Sequence, residues 1–246
     1  GLAAAEIDKL VTQTAGLKAR QEQPDPPEKL AVIPLLRLKD IRPETEQLPL
    51  AAKTAQEVPV LFHSLATNHI GYVNMYFDTR AVPQELLPYL HLLARVLGKI
   101  GTEKYNYTDL ANEINLHTGG LTYEAVAWSQ NGDDYTYYPK FKVKIKTLLK
   151  KLPQTLALAG QIIGRSDFSD QRRLAELGRE IRSEWERNLF RLGQQIAAGR
   201  VLSYLSPAAA YNETGLLSFA EFMAGLAKPG EAKLAEIGAK LQTTAD

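Results

Sequence analysis

Cysteine is absent from this sequence of 246 residues. Disulfides, thiolate ligands for a metal and a thiol nucleophile are therefore excluded as sources of stability or chemistry. Long apolar runs are missing too, since no stretch approaches the length that a membrane-spanning helix needs. We therefore expect no membrane partner.

An excess of one charge sign is missing as well. The chain carries 29 Lys and Arg residues against 28 Asp and Glu residues, which gives a net charge of +1. Proteins that bind nucleic acids normally have a clear basic excess, so we expect no nucleic-acid partner. The hydrophobic share of 45% and the charged share of 23% are ordinary for a globular domain, and a chain of this length can bury a core.

Several enzyme motifs are not found. The sequence has no phosphate-binding G-x-x-x-x-G-K-[ST] or G-x-G-x-x-G loop and no G-x-S-x-G nucleophile elbow. Its four histidines are His63, His69, His91 and His117. None lies four residues from another, which is the spacing that places two zinc ligands on one face of a helix. We expect each to be a surface or core histidine.

Prolines and hydrophobic periodicity divide the chain into segments. A helical pattern over 3–22 stops before Pro24, because proline lacks the amide donor of a helix and restricts the residue before it. The predicted segments are 1–24 as the end of a helical linker, 25–50 as an extended connector, 51–230 as an α+β domain and 231–246 as the start of a following helical segment. Since the sequence goes from Gly1 directly into a helical pattern, we expect a piece of a longer polypeptide.

Strand and helix patterns follow one another along the chain. The strands 58–66 and 70–78 are predicted to form a hairpin with Asn68 and His69 at its turn. Further strands are predicted at 121–130 and 135–148. Helices are predicted at 84–100, 107–117, 148–164, 169–205 and 215–228, the second of them capped by Thr108. This order predicts an α+β fold in which an antiparallel-rich mixed sheet has helices packed on one face.

The strand 135–148 has the clearest pattern. Three apolar residues alternate with lysines, so one face of the strand belongs to the core and the other is wet. The apolar residues are Phe141, Val143 and Ile145, and the lysines are Lys140, Lys142, Lys144 and Lys146. The lysine row has two interpretations: a track for an acidic ligand, or a solvated face that also discourages strand pairing at the edge of the sheet. We favour the second.

Two further clusters have alternative interpretations. Glu180 and Glu184 lie one turn apart on a predicted helix and could face one cavity, but on a helix this charged such a pair is normally solvated. The tyrosines at 135, 137 and 138 are typical of strand packing, although exposed tyrosines also suit a surface that contacts peptides.

Three motifs in series resemble one enzyme family. They are F-D-x-x-x-V-P-x-E-L-L-P-Y-L over 77–90, L-G-x-x-G-T-x-x-Y-x-Y-x-x-L over 97–110 and T-G-G-L over 118–121. In this order they resemble the insulinase (pitrilysin-like) zinc metallopeptidases, and most closely the presequence-protease subfamily. The resemblance extends from about residue 25 to the end of the sequence.

The resemblance implies an enzyme of two homologous halves that are joined by a helical hairpin and close around an unfolded peptide. The first half carries the zinc motif H-x-x-E-H on a helix, and the second half has the same fold without the metal. This sequence resembles the second half and contains no H-x-x-E-H. The motif positions align with Leu90, Leu93 and Ala94, so neither a zinc ligand nor a catalytic residue is expected. His91 lies one residue out of register, which is about 100° around the helix.

We therefore expect a non-catalytic domain of a zinc-dependent endopeptidase that completes a closed substrate chamber. The resemblance implies zinc in the parent enzyme and no cofactor in this chain. The implied partners are the catalytic half of the same polypeptide and an unfolded peptide, held by strand addition to a sheet edge. The implied location is a bacterial cytoplasm, or an organelle matrix in a eukaryote. The residues that contact the peptide are not identified by the sequence.

Two alternatives stay open. The first is a free-standing peptide-binding or scaffold module of the same fold. The second is an enzyme with a new site formed by Glu180, Glu184 and a histidine.

Overall fold

The computed structural model describes residues 3–41, 44–45, 47–226 and 230–245. Contacts divide the chain into two compact units, Gly1–Leu65 and Ala66–Asp246. The sequence instead predicted boundaries after residues 24, 50 and 230. None of the described helices is both long and apolar enough to cross a bilayer.

The first unit consists of helices followed by a hairpin. Its elements are α1 (Ala4–Glu22), α2 (Pro27–Leu30), β1 (Ala51–Ala55) and β2 (Val58–Phe62). Strands β1 and β2 pair in antiparallel fashion from Ala51↔Phe62 to Ala55↔Val58. The turn between them has only two residues, Gln56 and Glu57, with φ of 48° and 70°. Positive φ at both central residues gives the twist that a two-residue hairpin needs.

This hairpin corrects the sequence prediction, which paired 58–66 with 70–78. The chain does turn at Asn68 and His69, where φ is 49° and 64°. The strand that follows pairs elsewhere, because residues 58–62 are already bonded to β1 through their own tight turn.

The second unit contains a three-stranded sheet and eight described helices that follow its first strand. Its elements are β3 (Ile70–Asp78), α3 (Leu87–Val96), α4 (Tyr107–His117), β4 (Gly120–Gln130), β5 (Asp133–Leu148), α5 (Leu152–Arg165), α6 (Gln171–Arg191), α7 (Gly193–Leu202), α8 (Pro207–Glu213), α9 (Leu217–Gly225) and α10 (Glu231–Ala245). The strand order is β3-β5-β4, and each neighbouring pair is antiparallel.

The core lies between the sheet and the helices. Phe141, Val143 and Ile145 of β5 are buried, as the alternation predicted. Helices α3, α4, α5 and α8 pack against the sheet, and the lysine side of β5 stays open. The α+β class with helices on one face is confirmed, and the described strand pairs are all antiparallel rather than mixed.

Several predicted helices differ from the structure in their extent or in their capping residue. The predicted helix 169–205 is interrupted at Leu192, where φ is −110° and ψ is 15°. Gly193 follows directly, and glycine is a poor helix former. The predicted helix 84–100 begins with a 3₁₀ turn and ends at Val96. The cap of α4 is Asn106 rather than Thr108, because the Asn106 side chain accepts hydrogen bonds from the amides of residues 108 and 109 at 3.0 and 2.9 Å.

Helix α10 lies within the second unit. Leu234, Ile237 and Leu241 are buried, and the helix packs on α3 and α6. Helix α10 therefore shares the core of this unit, whereas the sequence predicted that 231–246 is the start of a following helical segment.

Candidate functional site

Helix α3 carries the three residues that the resemblance predicts to stand at the positions of a zinc motif. Leu90 and Leu93 are 2% and 3% exposed, and they belong to the hydrophobic core. Ala94 is partly buried against the same core. These side chains offer only hydrocarbon, which cannot coordinate a metal ion. The residues present at these positions do not fit zinc.

His91 is a core residue with a polar partner on a distant segment. Its Nε2 lies 2.8 Å from Oγ1 of Thr214, and that hydroxyl donates its one hydrogen to the carbonyl of Tyr211 at 2.6 Å. The hydrogen-bond network therefore assigns the proton of His91 to Nε2, which donates to Thr214. Burial lowers the pKa of His91 to about 4, with the charge of Arg95 as a second cause. The imidazole is neutral at pH 7.

The ring of His91 is held on one side by Gly215. A Cβ atom at Gly215 would lie 2.5 Å from Cε1 of His91, which is closer than side chains approach. The ring of Phe219 lies 6.0 Å from that of His91, centroid to centroid. His91 thus fills a closely packed site between α3 and the segment 214–219.

The two glutamates of α6 face cations. Glu180 accepts from Nζ of Lys99 at 3.3 Å, and Glu184 accepts from a guanidinium nitrogen of Arg95 at 3.3 Å. These ion pairs join α6 to the end of α3 and the turn after it. The structure therefore shows the predicted carboxylate pair in bonds to basic residues and not beside His91, whose Nε2 is bonded to Thr214.

The other histidines lie on separate elements. His63 is exposed, with Nδ1 3.0 Å from the carbonyl oxygen of Pro49. His69 is exposed in the turn before β3. His117 ends α4, where Nε2 lies 3.5 Å from a carboxylate oxygen of Glu113. In the described parts of the chain, no group of three or more His, Asp or Glu residues could hold a metal ion.

The open side of the sheet, which we call the lysine face, combines lysines with aromatic rings. The lysine face consists of Lys140, Lys142, Lys144 and Lys146 of β5, Tyr72 and Tyr76 of β3, and Trp128 of β4. Because β5 is the central strand, its lysines cannot protect a sheet edge, and that part of the sequence interpretation is wrong. The two tyrosines and the tryptophan are 42% to 61% exposed.

Half of the lysines are neutralised by neighbouring strands. Lys140 lies 2.8 Å from Asp78 and Lys142 lies 3.1 Å from Glu124. Hydrogen bonds from Arg80 and Lys140 hold the pKa of Asp78 well below its usual range. Nζ of Lys142 also lies 5.7 Å from the Trp128 ring. Such local pairing is what a solvated face shows.

The tyrosine cluster divides between core and surface. Tyr137 packs on Tyr211 with ring centroids 6.4 Å apart. The hydroxyl of Tyr138 donates to Gln130 at 2.7 Å, and Tyr135 is 82% exposed. The three tyrosines therefore do not form one contact surface.

Strands β3 and β4 are the edges of the sheet. Within the described residues, each pairs with β5 on one side only. The outer backbone groups of an edge strand are a template for an added strand. No sequence pattern identified these edges, because the order β3-β5-β4 follows from pairing between distant segments.

The comparisons with known proteins agree with the resemblance found in the motifs. A sequence model of the family described as Peptidase M-16-C associated matches residues 1–226. The chain is 34% identical over 223 residues to protein HypA of Clostridium perfringens, which covers 90% of this chain and 23% of that protein. It is 32% identical over 224 residues to presequence protease 1, chloroplastic/mitochondrial, of Arabidopsis thaliana. This match covers 91% of this chain and 21% of that protein.

A mitochondrial presequence protease of Xenopus laevis is 28% identical over 181 residues, covering 74% of this chain and 18% of that protein. The chain thus spans about a fifth of the length of these relatives. The prediction of a presequence-protease-like, non-catalytic region is confirmed, and the chain belongs to this peptidase-associated family.

Proposed function

We propose that this chain is a non-catalytic part of a longer zinc-dependent endopeptidase of the insulinase family, in which it completes the substrate chamber. The observation that carries the proposal is the hydrocarbon core at Leu90 and Leu93, with His91 bonded to Thr214. The names of the relatives support a peptidase as the parent. Zinc and its ligands would then belong to another part of the polypeptide.

The proposed partners are the catalytic half of the same polypeptide and an extended, unfolded peptide. The open edges of β3 and β4 support this role, because backbone hydrogen bonds at a sheet edge bind an extended chain without requiring one sequence. The proposed location is a bacterial cytoplasm or an organelle matrix, and the latter agrees with the organelles in the names of the plant and frog relatives.

Metal analysis and a cleavage assay test the non-catalytic role. The purified chain is dialysed against zinc, and bound metal and hydrolysis of a fluorogenic peptide are measured with and without a chelator. We expect no stoichiometric zinc and no chelator-sensitive cleavage. Stoichiometric zinc together with cleavage that a chelator abolishes would contradict the proposal.

Mass spectrometry of the native protein separates this proposal from a free-standing module. A polypeptide several times heavier than 27.3 kDa supports a part of a longer enzyme, whereas a native mass near that value supports the module.

Amide hydrogen exchange tests strand addition. An unfolded peptide is expected to protect amides of β3 or β4 and to leave those of β5 unchanged, because β5 already pairs on both sides. The matched control is the same peptide with every backbone nitrogen methylated, which removes its donors along both edges. Protection by both peptides, or protection confined to the helices, would contradict edge binding.

A further inference from the structure

A cavity of about 260 Å³ lies between four helices of the second unit. Each helix contributes hydrocarbon to its wall: Val96 from α3, Leu174 from α6, Met223 from α9 and Ile237 from α10. Protein interiors normally contain few voids larger than a water molecule. An apolar cavity of about 150 Å³ already binds benzene. This cavity therefore has room for a larger apolar group.

Gly178 keeps one wall of the cavity open. It lies in the interior of α6 and lines the cavity, and a Cβ atom there would meet no atom within 4 Å. Glycine inside a helix is less favourable than alanine by about 1 kcal/mol. Glycine at this position therefore lowers the stability of the helix and leaves the cavity free of a side chain that would otherwise fill it.

Two arginines of α6 line the cavity, Arg179 and Arg182, and Arg182 is paired with Glu186 at 3.4 Å. Arg179 is exposed and lines the cavity, and the described residues provide it with no ion pair or hydrogen bond. The nearest carboxylates along α6 are committed elsewhere, since Glu176 pairs with two other arginines and Glu180 pairs with Lys99. A guanidinium binds a carboxylate through two parallel hydrogen bonds.

We propose that this cavity binds an aliphatic monocarboxylate, with the alkyl chain between the four helices and the carboxylate at Arg179. The apolar wall contacts the alkyl chain of the ligand, and the guanidinium of Arg179 binds its carboxylate. The inference does not depend on the peptidase role, because it rests on the cavity and its rim alone.

Calorimetric titration with octanoate and 1-octanol tests the proposal. Octanoate is expected to bind the chain with one-to-one stoichiometry and about tenfold more tightly than the alcohol, which is the contribution of a charge-assisted hydrogen bond at a solvated rim. Arg179→Gln is expected to reduce octanoate to the affinity of octanol and to leave octanol unchanged.

Gly178→Leu is expected to weaken both ligands by tenfold or more, because the new side chain fills the cavity. The matched control is Gly160→Leu on α5, where a Cβ atom also meets no atom within 4 Å, and it is expected to leave both affinities unchanged. Circular dichroism and thermal unfolding confirm that each variant folds.

Methionine methyl resonances locate the ligand without any substitution. The chain has two methionines: Met223 lines the cavity, and Met75 lies on β3 in the sheet. Octanoate is expected to shift the methyl signal of Met223 and to leave that of Met75 in place.

Four outcomes would overturn the inference. Absence of saturable octanoate binding removes the site, and equal affinities for octanoate and octanol remove the carboxylate assignment. Octanoate affinity that is unchanged in Gly178→Leu shows that the ligand binds outside this cavity. A shift confined to the methyl resonance of Met75 shows the same.

Discussion

His91 is expected to make the second unit less stable as the pH falls from 7 to 4.5. Its pKa is about 4 in the folded protein, against an ordinary value of 6.5. Between these values the unfolded chain binds a proton that the folded chain does not bind. A folded pKa below the unfolded pKa therefore means that stability is present at pH 7 and is lost as the pH falls toward 4.

The magnitude follows from the two pKa values. Each pH unit below 6.5 is worth about 1.4 kcal/mol while the folded imidazole stays neutral. From pH 7 to pH 4.5 the loss in the free energy of unfolding is about 2 kcal/mol. Carboxylates with lowered pKa values, such as those of Asp78 and Glu236, also lower the free energy of unfolding at acidic pH. The contribution of His91 is therefore measured as the difference between the parent and a variant that lacks this histidine.

Urea unfolding at pH 7 and at pH 4.5 measures that difference. Trp185 is buried, with its ring 5.8 Å from that of Phe219, and its fluorescence reports the packing around His91. From pH 7 to pH 4.5, the free energy of unfolding of His91→Gln is expected to fall by about 2 kcal/mol less than that of the parent. The control is His69→Gln, an exposed position, which is expected to follow the parent. An equal pH dependence of the parent and His91→Gln would refute the reasoning.

Thermal and urea unfolding test three further predictions. Gly215→Ala is expected to lower the free energy of unfolding by about 1 to 3 kcal/mol, because the methyl group overlaps a buried imidazole ring, whereas Gly160→Ala in open space is expected to raise it by somewhat under 1 kcal/mol. Leu93→Ala is expected to lower the free energy of unfolding by about 2 to 5 kcal/mol. The control Leu156→Ala, at an exposed position, is expected to lower it by less than about 1 kcal/mol. Asn106→Ala is expected to lower it by about 1 kcal/mol and to speed exchange of the two amides that it caps. Equal effects within either matched pair, or unchanged exchange at the capped amides, would contradict the corresponding prediction.

Local patterns predicted the elements of this fold well. The alternation around Phe141, Val143 and Ile145 identified both the strand and its buried face, because side chains change sides at every residue. The bounds 70–78 and 107–117 agree with β3 and α4.

Strand pairing, the break between α6 and α7 and the capping residue of α4 were harder to predict. The pairing of β3 with β5 joins segments separated by two helices, and no local pattern records it. The break at Leu192 is hidden because the hydrophobic period continues across it to the buried Ile196. Asn106 and Thr108 are both common capping residues, and only the side-chain geometry distinguishes them.

The sequence predicted which residues replace the zinc motif, and that assignment stays a prediction. The apolar residues at 90, 93 and 94 were identified from their place in the motif series. The bond from His91 to Thr214 spans 123 residues, so sequence spacing could not reveal it. The cavity likewise needs four helices that are distant in sequence, and composition gives no sign of it.

The central position of β5 also has a kinetic consequence. Strand β4 reaches β5 through the two-residue turn at Asn131 and Gly132, whereas β3 reaches β5 only after a loop containing α3, α4 and β4 has closed. The entropy lost on closing a loop rises with its length, and near neighbours meet sooner. We therefore expect the β4–β5 hairpin to form early and β3 to dock late. In pulsed hydrogen exchange during refolding, amides of β4 should gain protection before those of β3, and simultaneous protection would contradict this order. One side of β5 thus stays unpaired during refolding, and the edge left vacant until β3 docks is where another chain could insert and begin aggregation.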